Sequence, residues 1–161
     1  MTEPVVSILC LTYNHVHYIK DALDSFLMQK TNFPYEICLG EDESSDGTRK
    51  ICQEYAKKYP DKIRLFLRSR KDVIYINGLV TGKYNSIETF KECKGKYIAY
   101  CDGDDYWTDP YKLQEQVDYL EKNIDFGMVH TDCDIINEIN KKINKKAKEN
   151  KNIPHGNVKN Q

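Results

Sequence analysis

Tyr97-Ile98-Ala99-Tyr100-Cys101-Asp102-Gly103-Asp104-Asp105 decides how the rest of the chain is read. A short apolar run of strand-forming residues stops in three carboxylates packed around one glycine. Neighbouring like charges repel, and the cost rises in a partly dry site, so folding stability does not ask for this arrangement. Two readings stand. One is a solvated Asp/Gly turn after a strand. The other is a place where a cation is held, since Mg²⁺ and Mn²⁺ want carboxylate oxygen and often bind through one or two carboxylates plus substrate phosphates.

Outward from this stretch, strands and helices alternate. Val5-Val6-Ser7-Ile8-Leu9-Cys10-Leu11 is nearly continuous in apolar character, the pattern of a strand covered on both faces. After the turn Thr12-Tyr13-Asn14-His15, the spacing of Ile19, Ala22, Leu23, Phe26 and Leu27 predicts a helix over 18–29. A second strand is expected over 35–39. A helix follows it, capped by Ser44 or Ser45 with Asp46 near its positive end and ended by Pro60. Residues 63–67 read as a third strand. Residues 68–82 have no steady period and contain Asn77, Gly78 and Gly82, so a mobile loop with room for one helical turn is expected. A helix over 83–93 would turn Ile87, Phe90 and the stem of Lys91 inward. After strand 97–101, Asp109-Pro110 is a strong helix start. Residues 127–131 read as a fifth strand and 135–140 as an edge strand. The layer solution for this order is α/β: a Rossmann-like, open, mostly parallel sheet with helices on both faces.

With 161 residues the chain has room for one ordinary domain. That domain is expected over 1–135, followed by a polar, lysine- and asparagine-rich, mobile tail over 136–161. The net charge of −1 hides an asymmetry, because residues 137–161 hold seven lysines against two glutamates. The body carries no basic strip, so no nucleic acid partner is expected. The tail is read as a solvated segment first and as a contact with lipid head groups second. The six cysteines are widely spaced, with no CxxC pair, and no signal peptide precedes them, which points to reduced thiols in the cytoplasm. No apolar run reaches bilayer length, so no transmembrane segment is expected.

In an open α/β sheet, ligands sit beyond the carboxyl ends of the strands where strand order reverses. Three polar turns fall at such ends: residues 11–14, Glu41-Asp42, and residues 102–105. One crevice unites them if the first strand lies between the second and the fourth. Asp42 would then accept from a base N–H, while Asp102 and Asp104 reach a ribose hydroxyl and a phosphate-bound metal. Gly103 allows close backbone approach or a positive φ. No Gly-x-Gly-x-x-Gly turn or P-loop follows the first strand, which argues against dinucleotide redox enzymes and P-loop enzymes. His15 and His17 read as turn or surface residues, with His15 also able to border a diphosphate. Tyr13 could stack on a base or pack between helices, and Trp107 is expected as a core anchor under the acidic loop.

Four ordered blocks carry a resemblance: residues 6–14, 22–29, 41–48 and 94–107, the last reading Lys94-Gly95-Lys96 into Asp102-Gly103-Asp104-Asp105-Tyr106-Trp107. They closely resemble the nucleotide-binding half of family 2 glycosyltransferases of the GT-A fold, over roughly residues 5–135. The resemblance implies inverting transfer from a nucleotide-diphosphate sugar, a UDP-sugar being the first expectation, with Mg²⁺ or Mn²⁺ on the diphosphate. By family role, Leu11 and Asn14 border the base and ribose, Thr12 belongs to the same nucleotide-binding set, and Asp42 holds the base. Asp102 approaches the ribose and the metal, and Asp104 is the metal ligand. The chain also departs from the family pattern. Leu11 stands where proline is common, and Glu41-Asp42-Glu43-Ser44 where Asp-Asp-Gly-Ser is frequent. Tyr84-Asn85 replaces an Arg-Asn pair, leaving Lys83 as the nearest cation for a phosphate.

Such transfer also needs a carboxylate to deprotonate the acceptor hydroxyl. In the family that residue lies farther along, so the base is expected beyond Gln161; Asp132 and Asp134 are weak stand-ins. The expected acceptor is a glycan or lipid-linked glycan in cell-surface polysaccharide synthesis, met in the cytoplasm or at the inner face of the membrane. The alternative is a nucleotide-sugar-binding module without transferase activity.

Overall fold

The computed structural model describes residues 3–136 and 142–144. It divides into two compact units, residues 1–114 and 115–161. In the first, β1 (Val6–Thr12), β2 (Tyr35–Glu41), β3 (Ile63–Leu67) and β6 (Tyr97–Tyr100) form one parallel sheet in the order β3-β2-β1-β6. The order reverses at β1, which lies between β2 and β6 as the three-turn argument requires. Every residue of β2 is buried, and so is nearly all of β1, because helices cover both faces.

Helices α1 (Ile19–Leu27) and α2 (Thr48–Lys58) join consecutive parallel strands by crossovers of one hand, which places them on the same face. They meet there, with Tyr55 Oη donating to Asp24 Oδ1 at 2.7 Å. Ile19, Ala22, Leu23 and Phe26 of α1 are fully buried, as the apolar stripe predicts. Trp107 packs on Phe26 with ring centroids 4.9 Å apart, so it anchors the acidic segment to the core.

Helix α3 (Lys83–Lys91) corrects an expectation. Ile87 and Phe90 do not face inward; they are 45% and 55% exposed, and Asn85 and Thr89 are buried instead. The cause is Gly40 in β2. Asn85 Nδ2 donates to the Gly40 carbonyl at 2.9 Å, and Thr89 Oγ1 donates to Asn85 Oδ1 at 3.0 Å. A Cβ on Gly40 would overlap both side chains, so the missing methyl group makes the notch that seats a polar helix face.

The expected loop over 68–82 is more ordered in form than its composition suggests. It holds a 3₁₀ turn (Arg70–Asp72) and a β-hairpin of β4 (Ile74–Ile76) and β5 (Leu79–Thr81). Asn77 (φ 51°) and Gly78 (φ 78°) form its two-residue turn, both in the left-handed region that such turns demand. The expected serine cap of α2 is also corrected. Gly47 occupies the cap position at φ 109°, and Asp46 Oδ1 accepts from the Thr48 N–H at 2.9 Å.

At the amino ends of the strands, Ser7, Glu36 and Arg64 tie β1, β2 and β3 together. Ser7 Oγ donates to Glu36 Oε1 at 2.7 Å, and Arg64 Nη1 donates to Glu36 Oε2 at 3.0 Å. The N–H groups of Lys94 and Gly95 donate to Ser7 Oγ at 3.0 and 2.8 Å, fixing the approach to β6. Helix α4 (Lys112–Lys122) begins as Asp109-Pro110 predicts, with Asp109 Oδ1 accepting from the Tyr111 N–H at 2.8 Å.

In the second unit, Tyr119 and Phe126 place their ring centroids 6.0 Å apart. Residues 127–131 are irregular rather than a fifth strand. A strand needs a partner for its backbone groups, and no ladder among the described residues includes these five. Strand β7 (Ile135–Ile136) pairs antiparallel with β8 (Lys142–Asn144). The tail expected over 136–161 lies almost wholly outside the described residues, as does most of the edge strand expected over 135–140.

Candidate functional site

Beyond the carboxyl ends of β1, β2 and β6 lies an open cleft of about 480 Å³. Leu11 and Thr12 line it from the end of β1, Tyr13 and His15 from the turn after it, and Asp42 from the end of β2. Gly82, Lys83, Asn85 and Ser86 contribute from the start of α3; Tyr100, Asp102 and Asp104 contribute from β6 and its turn. Six sequence-predicted residues, Leu11, Thr12, Asp42, Lys83, Asp102 and Asp104, therefore meet on one cavity.

Asn14 and Gly103 are not in its wall; they shape the loops that form it. Asn14 takes a left-handed conformation (φ 55°) and latches the first turn to the second. Its N–H donates to Ser44 Oγ at 2.9 Å, and its Oδ1 accepts from the Ser45 N–H at 3.0 Å. Gly103 donates its N–H to the Leu11 carbonyl at 2.9 Å. A Cβ there would stand 2.8 Å from Thr12 Cβ and Oγ1, so glycine allows the acidic turn to close on β1. No positive φ is involved.

Asp42 is buried, and its nearest counter-charge is Arg70, whose Nη1 donates to Asp42 Oδ2 at 2.8 Å. Burial pushes the Asp42 carboxyl above its ordinary value, and Arg70 pulls the other way without cancelling it. The same guanidinium lies 4.0 Å from the centroid of the Tyr13 ring, so Tyr13 is covered by Arg70 rather than packed between helices. Behind Asp42, the fully buried Glu41 pairs with Arg49 and accepts the Ser44 N–H at 2.7 Å, which fixes the end of β2.

Across the cleft, Tyr100 Oη donates to Asp102 Oδ1 at 2.9 Å. Burial raises the Asp102 carboxyl above its ordinary value, the Tyr100 bond opposes this, and the neighbouring Asp104 adds to it. The Asp104 side chain is 52% exposed, with Oδ2 3.8 Å from His15 Nε2. Asp105 N–H donates to the Asp102 carbonyl at 3.1 Å, which orients the loop.

Among the described residues no three His, Cys, Asp or Glu side chains are grouped to hold a metal ion. Asp102 and Asp104 offer two oxygen donors separated by one glycine. That donor set suits Mg²⁺ or Mn²⁺, which keep several waters and take their remaining ligands from phosphates. No described helix is long and apolar enough to cross a membrane. Arg70 and Tyr100 were missed in the sequence, the first because it sits in an aperiodic stretch far from Asp42. Asp132 and Asp134 are exposed members of the second unit.

A parallel sheet reversing at β1, with three carboxylates on the loops after β2 and β6 facing one cleft, defines the GT-A class of α/β proteins. The model for glycosyl transferase family 2 matches residues 7–159, and the chain belongs to that family. It is 40% identical over 118 residues to the Mycobacterium tuberculosis protein Rv1520, which carries no assigned function, covering 73% of this chain and 32% of that one. It is 31% identical over 135 residues to the putative glycosyltransferase EpsE of Bacillus subtilis, covering 84% and 45%. Among solved structures it resembles S. aureus TarS 1–349 in complex with UDP at TM-score 0.56 and 24% identity, covering 74% and 32%. It also resembles the mannosyltransferase PcManGT of Pyrobaculum calidifontis in complex with GDP-Man and Mn²⁺ at TM-score 0.58 and 22% identity, covering 74% and 33%. At these identities the two structures speak to fold alone. The chain spans about a third of the first of these relatives.

Proposed function

We propose that this chain is the donor-binding part of an inverting glycosyltransferase. It would hold a nucleotide-diphosphate sugar, a UDP-sugar first, for transfer to a hydroxyl of a glycan or lipid-linked glycan in cell-surface polysaccharide synthesis. One observation carries the reading: Asp42 and the pair Asp102 and Asp104 line opposite parts of one cleft at the strand-order reversal. Asp42 accepts from a base N–H, and Tyr13 and Arg70 supply flat faces beside it. Leu11 and Thr12 border the ribose, and Lys83 meets a phosphate.

Asp102 and Asp104 would hold Mg²⁺ or Mn²⁺, which when bound neutralises charge on the departing diphosphate. In the transfer, the acceptor oxygen bonds the anomeric carbon as the bond from that carbon to the diphosphate oxygen breaks. The hydroxyl proton passes to a carboxylate base. The relatives support the cell-surface setting: one is the putative teichuronic acid biosynthesis glycosyltransferase TuaG of Bacillus subtilis, 31% identical over 121 residues. The six free cysteines support a reduced compartment, and we place the work in the cytoplasm or at the inner face of the membrane.

A second reading is a nucleotide-sugar-binding module without transfer. It is favoured because the three carboxylates lining the cleft all have donor-side roles, leaving none there to act as base. Titration with UDP, UDP-glucose, UDP-GlcNAc and GDP-mannose, with and without Mn²⁺, tests the shared binding step. Release of free sugar or transfer to an added polyprenyl-linked acceptor then separates the two readings.

A further inference from the structure

Two residues that line the cleft each carry a buried polar atom without a hydrogen-bond partner: Thr12 Oγ1 and His15 Nδ1. Thr12 ends β1 and His15 lies in the turn after it. A buried polar atom without a partner disfavours the empty state, and in native proteins it is usually satisfied by water, an ion or a ligand. Thr12 is 2% exposed, with Gly103 packed against its Cβ and hydroxyl.

The backbone that carries His15 is fixed from both sides. Its backbone carbonyl accepts the N–H groups of Tyr18 and Ile19, both at 2.9 Å, and the next residue, Val16, donates its N–H to Asp46 Oδ2 at 3.0 Å. Nε2 stands 3.8 Å from Asp104 Oδ2, too far for a hydrogen bond, so the tautomer that carries the ring proton on Nδ1 leaves that atom as an unspent donor. The cleft wall holds three carboxylates, and besides His15 only Lys83 among the lining residues carries a basic side chain. A ligand with several negative charges therefore needs more neutral or cationic donors than Lys83 alone supplies.

We infer that His15 is a direct ligand of the donor's diphosphate, its Nδ1–H donating to a phosphate oxygen beside Asp104, with the Thr12 hydroxyl as a second donor. This rests on the nucleotide-diphosphate reading of the same cleft. The chemistry is specific in one respect: phosphate oxygens only accept, so the group that meets them has to donate. The placement also makes His15 act on the leaving group rather than on the base or the sugar.

The test compares the full chain with His15→Ala, His15→Gln and His15→Asn in calorimetric titrations with Mn²⁺ present. The probes are UDP with uridine, and GDP with guanosine. Asparagine sets its amide nitrogen near the Nδ1 position, whereas glutamine reaches the Nε2 position. His15→Ala and His15→Gln are expected to weaken diphosphate binding about tenfold. His15→Asn is expected to hold it within about threefold, and nucleoside binding is expected to stay within about twofold in all three. Thermal melts check folding, and if the alanine variant does not fold, the Gln/Asn contrast decides. Equal diphosphate binding by wild type and variants, or an equal loss for nucleoside and diphosphate, overturns the assignment to His15. Wild type that binds neither UDP nor GDP overturns the nucleotide-diphosphate reading, and this assignment falls with it.

Discussion

Arg70 Nη1 lies 2.8 Å from Asp42 Oδ2, while its guanidinium lies 4.0 Å from the Tyr13 ring centroid. One side chain from the 3₁₀ turn thus orients both groups at the base end of the cleft. Removing it leaves a buried carboxyl without the guanidinium that opposes its burial, and an aromatic face without its cover. Arg70→Ala should weaken nucleoside diphosphate binding roughly tenfold, and Arg70→Lys should recover little, because a lysine cannot stack flat on tyrosine. Calorimetry on the two variants checks this.

Glu36 holds the amino ends of β1, β2 and β3. Burial alone would push its carboxyl up, but hydrogen bonds from Ser7, Lys94 and Arg64 outweigh it, so it ionises below its ordinary value of 4.5. A lowered carboxylate pKa stabilises the fold above the unfolded value, and that contribution is lost as pH falls through the folded one. Glu36→Gln should therefore cost about 1–2 kcal/mol at pH 7. The gap from wild type should close below about pH 4. Asp42, Asp102 and Asp105 have raised values, so their contributions run the opposite way. Urea melts across pH 3–7 read the difference.

Gly40 makes the notch for α3. Gly40→Ala should destabilise the domain by about 1–3 kcal/mol through overpacking. It should also displace Lys83 and so weaken diphosphate binding. Chemical denaturation and a UDP titration on the same variant check both effects.

The β4–β5 turn depends on a left-handed residue at Gly78. Gly78→Ala should cost about 1 kcal/mol. The loss should be local, read as faster amide exchange over residues 74–81 with the core sheet unchanged.

The parallel sheet was legible because its strands are near-continuous apolar runs ending in polar turns, as in residues 5–11 and 97–101. Asp42, Asp102 and Asp104 were legible because carboxylates at strand ends are conspicuous. The hairpin was not: three-residue strands are too short to show a period, although Asn77-Gly78 marks the turn. Nor was the inward face of α3, since apolar spacing put Ile87 and Phe90 inside. The helix instead spends Asn85 and Thr89 on a glycine 45 residues away. Arg70 escaped for the same reason: its partner Asp42 lies 28 residues off along the chain, and no local pattern marks an ion pair across loops.

The central claim is that the acidic turn and the base-end carboxylate serve one ligand, with a divalent ion between the turn and the ligand's phosphates. Titrating UDP and GDP into wild type and Asp104→Ala, each with Mn²⁺ and with EDTA, tests it most directly. The expected result is binding by wild type that Mn²⁺ strengthens at least tenfold, and no such metal effect in Asp104→Ala. Wild type that binds neither nucleotide, or binds one equally well in EDTA, would contradict it.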